Sequence, residues 1–249
     1  MNLIAHRGYS DLAPENTYSS FDLAISKGFK IFELDVQLTK DKIPIIFHDY
    51  DLNRICNLDL LVKNTEYEFL SLLDVGSWFD KKYFDQNIPK FENILKKYTN
   101  QVHLQIELKS HEKELANIVI NKLKKMNWYN LTGKPYEIPG YSITSFDINN
   151  LINVRELSKN IRTGWLLSTE RENIESVKKK LVEFDINMII PNVNDSIWGD
   201  GNLIKEFKDE GYLLCAWGSK SINDVKNMNS INIDGMTVDW PGKALKAIL

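Results

Sequence analysis

Seven residues of this chain have types that could do chemistry together: His6 and Arg7, Glu33 and Asp35, His48, Glu107 and Lys109. Each lies at or near the end of a short apolar run, so a fold that gathers strand ends at one face would gather them. Core strands do not bury Glu33, Asp35 and Glu107 without something to neutralise them. A divalent cation is the economical partner, and carboxylates are hard oxygen ligands suited to Mg²⁺ or Ca²⁺. The sequence has no Cys or multi-His cluster of the structural zinc kind. The competing reading is a salt-bridge network of the same acids with Arg7 and Lys109.

A phosphodiester is the bond this set suits. Its cleavage needs the developing charge stabilised, a base for the attacking oxygen and an acid for the departing one. Arg7 can hold two phosphate oxygens with its planar fork and Lys109 adds a point charge, while a bound cation polarises the phosphoryl group. His6 and His48 remain for acid and base. The other two of the four histidines stand elsewhere, His103 at the start of a run and His111 near a helix start.

What must position these groups is a series of apolar or β-branched runs: 2–5, 30–36, 43–47, 102–108, 141–144, 162–167, 187–190, 212–217 and 235–239. Helical spacing separates most of them. Over 17–27 it places Tyr18, Phe21, Ala24 and Ile25 on one face, and over 112–126 Leu115, Ile118, Val119 and Leu123. Strands alternating with helices imply βαβ units and a parallel sheet. The link between the second and third runs is too short for a parallel crossover, so those two form a hairpin. A two-residue turn at Asp41 and Lys42 would set Asp35 opposite His48. The expected fold is a single α/β domain over 1–249, a (β/α)₈ barrel with a small insertion, about 49–89, after the third strand. That insertion, with a helix near 66–73, is placed to cover the barrel mouth. A further helix is expected at 91–98. Lys178 to Lys180 read as a solvated helix face.

The motifs narrow the chemistry. His6-Arg7-Gly8, Pro14-Glu15-Asn16-Thr17, Glu33-Leu34-Asp35-Val36 and His48-Asp49 resemble, in order and spacing, the signature of glycerophosphodiester phosphodiesterases. Gly76-Ser77-Trp78-Phe79, Ile88-Pro89, Glu107-Leu108-Lys109, Ser145-Phe146-Asp147, Thr163-Gly164-Trp165-Leu166, Asp234-Gly235 and Asp239-Trp240-Pro241 extend the likeness over nearly the whole chain.

The resemblance implies a barrel of the phosphatidylinositol-phospholipase-C-like type. In it Glu33, Asp35 and Glu107 hold the metal, His6 and His48 are the acid and base, and Arg7 and Lys109 contact phosphate. Phe146 and Trp217 resemble residues that line the glycerol pocket. Glu15 would serve the metal side of the site or support it, and Asn16 stands where it could cap the helix beginning at Thr17. Three departures are visible. Trp217-Gly218-Ser219-Lys220 replaces the usual Trp-Thr-Val-Asn, Val238-Asp239 replaces Thr-Asp, and Arg54-Ile55-Cys56 replaces Arg-Thr-Thr.

The implied reaction is metal-dependent hydrolysis of a small glycerophosphodiester to sn-glycerol 3-phosphate and an alcohol. Lysophospholipase D action is the alternative, favoured if Phe69, Trp78, Phe79 and Phe84 form an apolar groove. A non-catalytic barrel that binds a phosphorylated ligand is a third. A net charge of −3 gives no general attraction to nucleic acid or an anionic membrane. Cys56 and Cys215 read as buried free thiols. With neither a signal peptide nor a membrane-length apolar run, the expected location is the cytoplasm. No sequence stripe marks a dimer face.

Overall fold

All nine apolar runs form strands in the computed structural model, which describes residues 1–128, 133–167 and 173–249. The strands are β1 (Asn2–Ala5), β2 (Ile31–Leu38), β3 (Pro44–Ile46), β4 (Asp51–Leu52), β5 (Leu58–Leu61), β6 (His103–Leu108), β7 (Gly140–Ser145), β8 (Thr163–Leu167), β9 (Met188–Pro191), β10 (Leu213–Ala216) and β11 (Gly235–Val238). β1, β2 and β6 to β11 pair in parallel around a ring, which closes because β1 bonds β11 on one side and β2 on the other. This is the eight-stranded (β/α)₈ barrel. The outer helices are α1 (Tyr18–Ser26), α4 (Phe91–Tyr98), α5 (Leu115–Lys125), α6 (Ile148–Leu157), α7 (Ile174–Glu183), α8 (Gly201–Asp209), α9 (Ile222–Ser230) and α10 (Pro241–Ile248). Two short helices, α2 (Asn53–Cys56) and α3 (Tyr67–Leu70), lie in the insertion.

The strand period of two divides the side chains between two cores. Outward residues such as Phe32, Leu34, Leu104 and Ile106 pack under the helices with Phe21, Leu95 and Val119. The lower barrel interior is a separate apolar cluster of Ile4, Leu166, Met188, Ile190 and Cys215. His6, Asn192 and Trp217 follow two residues later on the same strand faces, so a polar layer lies directly above an apolar floor. Tyr136 joins that floor, its hydroxyl 2.7 Å from the Cys215 sulfur. A Cβ at Gly235 would come within 2.4 Å of that hydroxyl, which is why the position carries none.

β2 outruns the barrel. Its Ile31–Val36 stretch pairs with β6, while Val36, Gln37 and Leu38 pair antiparallel with Ile46, Ile45 and Pro44 of β3. The hairpin is therefore present, but one residue out of the expected register: Asp35 faces Phe47, whose amide donates to the Asp35 carbonyl, and His48 follows. The cause is a three-residue loop in which Lys42 takes a left-handed φ of 60°, in place of a two-residue turn. The insertion also contains a two-stranded sheet, β4 with β5, that periodicity did not announce. The helix expected over 66–73 is confined to α3. Cys215 is a buried free thiol, but Cys56 is only half-buried, because α2 lies on the surface of the insertion.

Candidate active site

The first strand ends in a turn built around its carbonyls. Arg7 and Gly8 both have left-handed backbone, φ 54° and 84°. The turn is held because the Arg7 carbonyl accepts from the Asn16 amide at 3.0 Å and the Ser20 hydroxyl at 2.9 Å. A Cβ on Gly8 would lie 2.5 Å from Ser20 Oγ and 2.7 Å from its carbonyl carbon, so glycine is required there. The result lifts His6 and Arg7 over the barrel mouth.

The acids come from neighbouring strands. In the β2/β6 ladder Asp35 lies beside Glu107 and Glu33 beside Gln105, all on the interior face. One oxygen from each of Glu33, Asp35 and Glu107 can be chosen so that all three lie within 4.8 Å of one another, and all three residues are buried. Oxygens bound to one Ca²⁺ at about 2.4 Å can be up to roughly 4.8 Å apart, so the spacing suits a single divalent ion. Glu33 Oε1 and Asp35 Oδ1 are buried and accept no hydrogen bond.

The salt-bridge alternative leaves one acid unanswered. Arg7 Nε is 3.2 Å from Asp35 and Lys109 Nζ is 2.9 Å from Glu107 and 3.7 Å from Asp35. Glu33 receives only the Arg7 backbone amide, at 3.1 Å. Burial, then the charges of Asp35 and Glu107, push the Glu33 carboxyl well above its ordinary range. Burial, then Asp35, also raises Glu107. Burial would raise Asp35 too, but Arg7, Lys109 and a bond from Asn16 outweigh it and hold it low. The donor set fits a cation better than it fits the two basic side chains alone.

Both strand-end histidines are oriented through Nδ1. His6 Nδ1 lies 2.6 Å from Asp239 and His48 Nδ1 lies 2.6 Å from Asp49. Each Nε2 is left for other work; that of His6 lies 3.9 Å from Glu33. Burial and then Arg7 lower His6 despite Asp239. Burial raises Asp239, but its bond to His6 prevails and holds it at about 2. In the sequence Asp49 and Asp239 stand out only as parts of motifs. The legible signals were a carboxylate directly after one histidine and another at the end of the last strand, which closure places beside the first.

Arg54 is the third residue without an assigned role. Its guanidinium bonds Glu15 at 2.8 and 3.0 Å and Asp49 at 2.6 Å, while Glu15 also accepts from Arg7 at 2.9 Å. Glu15 thus stands behind Arg7. Asn16 does not cap α1: Thr17 does, accepting from Ser20 within a capping box. The Asn16 side chain turns inward and donates to Asp35 Oδ2 at 2.8 Å. Its left-handed φ of 58° aims it there.

His6, Arg7, Glu33, His48, Glu107, Lys109, Phe146 and Trp217 line one cavity of about 360 Å³. Phe146 and Trp217 meet edge to face at 5.0 Å. Asp35, Glu15 and Asn16 lie behind the cavity wall. His103 is a core residue, bonded to the Glu137 carbonyl at 3.0 Å, and burial holds it at about 4. His111 is exposed and pairs with Asp147.

The sequence profile described as the glycerophosphoryl diester phosphodiesterase family matches residues 6–243. The chain belongs to this family. It is 27% identical over 240 residues to the glycerophosphodiester phosphodiesterase of Caldanaerobacter subterraneus subsp. tengcongensis, covering 96% of this chain and 94% of that one. It is similar in structure, with a TM-score of 0.87 and 28% identity over 100% of this chain and 96% of the other, to an Oleispira antarctica phosphodiesterase solved with sn-glycerol-3-phosphate. The fold is shared with a Thermotoga maritima glycerophosphodiester phosphodiesterase at 23% identity and a TM-score of 0.78, covering 99% and 97%. The phosphodiesterase class expected from the motifs is the class the family carries. Among the described residues no helix is long and apolar enough to cross a membrane.

Proposed function

We propose that this glycerophosphodiester phosphodiesterase releases sn-glycerol 3-phosphate and an alcohol, with His6 and His48 as the proton-transfer pair and Glu33, Asp35 and Glu107 as ligands of Mg²⁺ or Ca²⁺. The observation that carries it is the one cavity lined by Glu33, Glu107, Arg7, Lys109 and both histidines, with Asp35 directly behind its wall. The Oleispira relative, bound to the named product, supports the same substrate class.

Arg7, with Glu15 behind it, and Lys109, beside Glu107, hold the phosphate oxygens in line. One histidine takes the proton of the attacking oxygen at Nε2 and the other gives a proton to the departing one, each imidazolium stabilised by its aspartate. A bound cation would add Lewis-acid polarisation of the phosphoryl group. Phe146 and Trp217 face the carbon skeleton of the glycerol, and Asn192, Asn194 and Lys220 offer its hydroxyls partners. The attacking oxygen is that of water or of the neighbouring glycerol hydroxyl; trapping a cyclic phosphate separates the two.

The test is release of sn-glycerol 3-phosphate from glycerophosphocholine and glycerophosphoethanolamine with Mg²⁺, Ca²⁺ or chelator. Metal-dependent release is expected, falling by about 10²-fold or more in His48→Ala and Glu33→Ala. No release with either metal overturns the reading. Lysophospholipid hydrolysis is the second reading, and the exposure of Phe69, Trp78 and Phe84 favours it. Trp78 is tied to the site through Arg54, which lies 5.5 Å over its ring.

A further inference from the structure

The far end of the barrel carries another cavity, of about 330 Å³, lined by Lys159, Asn160, Arg162 and Asn187 beside Pro135 and Leu213. It lies where strands begin: Arg162 directly precedes β8, Asn187 directly precedes β9 and Leu213 opens β10. The candidate active site opens at the opposite ends of the strands, with the apolar barrel floor in between. We propose that this far cavity binds a phosphate dianion, free or as a phosphomonoester. Such a site is independent of the reaction at the barrel mouth.

The charges there are of one sign. No acid is among the described residues that line the cavity. Arg7, Arg54 and Arg155 each pair with a carboxylate. Arg162 is the described arginine that pairs with none: its Nη2 donates to the Gly133 carbonyl at 3.0 Å, and its Nη1 is buried with no acceptor. A half-buried guanidinium whose charge the protein leaves unanswered favours an anion beside it. Burial already holds Arg162 below its ordinary value, offset only in part by Tyr136. Lys159 adds an exposed ammonium to the same wall.

The amides add direction. Asn187 Oδ1 accepts from Arg155 Nη2 at 3.0 Å and from the Thr163 backbone amide at 3.1 Å. Both of those groups can only donate, which fixes the orientation of the amide and leaves Nδ2 as a donor at the cavity wall. The Asn160 side chain lines the same recess. Two cations and two amides around one hollow match the oxygens of a phosphate, which accepts in every direction. Pro135 and Leu213 give the recess an apolar side, against which a short ester chain can lie.

The experiment titrates the full chain, in buffer with Mg²⁺, with inorganic phosphate and separately with sn-glycerol 3-phosphate, and follows ¹H–¹⁵N spectra. The side-chain amide signals of Asn160 and Asn187 are expected to shift and saturate with a Kd of about 1 mM or tighter. Signals of Asn192 and Asn194 report the barrel mouth in the same spectra, so ligand bound there is counted apart. In Lys159→Gln and in Arg162→Met the Kd at the far cavity is expected to rise about tenfold, with the response at the barrel mouth unchanged. Lys159 is exposed and its replacement keeps the fold, so the test stands even where Arg162→Met unfolds. Saturation by either ligand, weakened in Lys159→Gln, upholds the site, and the tighter ligand identifies its source. No saturation at Asn160 and Asn187, an equal response to chloride at matched ionic strength, or an unchanged Kd in Lys159→Gln overturns it.

Discussion

At the scale of single residues, the site is a set of charges each held by a neutral or opposite partner. Asn16 spends a strained left-handed backbone to present one amide to Asp35. Replacing it with Ala is expected to weaken divalent-ion affinity by about 10- to 100-fold, measured by calorimetric titration, while the fold persists. Asp239→Asn and Asp49→Asn should each lower kcat by roughly 10²- to 10⁴-fold with little change in KM, because an amide favours the wrong imidazole tautomer. The seven candidate residues could be picked out because chemistry restricts which side chains can serve, and the fold does bring them together. Their partners were less so: Asp239 lies 233 residues from the histidine it orients, and nothing local marks the pair. Asn16 misled for a different reason, since an Asn one residue before a helix has the same sequence signature whether its side chain caps or reaches away.

At the scale of elements, existence and order were legible and register was not. Period-two runs mark strands by what they bury, but a loop of two residues or three fits the same runs equally well. The loop conformation chose, through the left-handed Lys42, and moved His48 one place beyond Asp35's partner. The small β4/β5 sheet escaped notice because Leu58, Asp59, Leu60 and Leu61 are largely exposed and show no buried alternation. The turn after β1 is the element on which most depends. Gly8→Ala adds a left-handed Ala and a clash with the backbone of Ser20, at least about 2 kcal/mol together. A fall in Tm of roughly 5 °C is expected by calorimetry, with a larger proportional loss of activity as Arg7 shifts.

At the scale of the whole molecule, the barrel follows from alternation of strands and helices over a length that fits it, and the family match agrees. Its packed interior makes stability depend on acid through groups far from the cavity. His103 is neutral in the core at about 4 against an ordinary 6.5, so the unfolded chain binds the extra proton first. Stability is therefore retained above pH 6.5 and lost as pH falls toward 4, by up to about 3 kcal/mol from this group. Denaturant unfolding at a series of pH values should show that loss in wild type and a shallower one in His103→Gln. The ring closes where β1 meets β11, with Ala5 paired to Val238, and His6 and Asp239 are the next residue on each strand. His6 is therefore synthesised 233 residues ahead of the aspartate that bonds it, and the contact waits for the strands in between. A polypeptide that stops short of Asp239 has no partner for the His6 Nδ1, so the hydrolysis proposed for this cavity is expected to stay weak until the last strand has joined the ring.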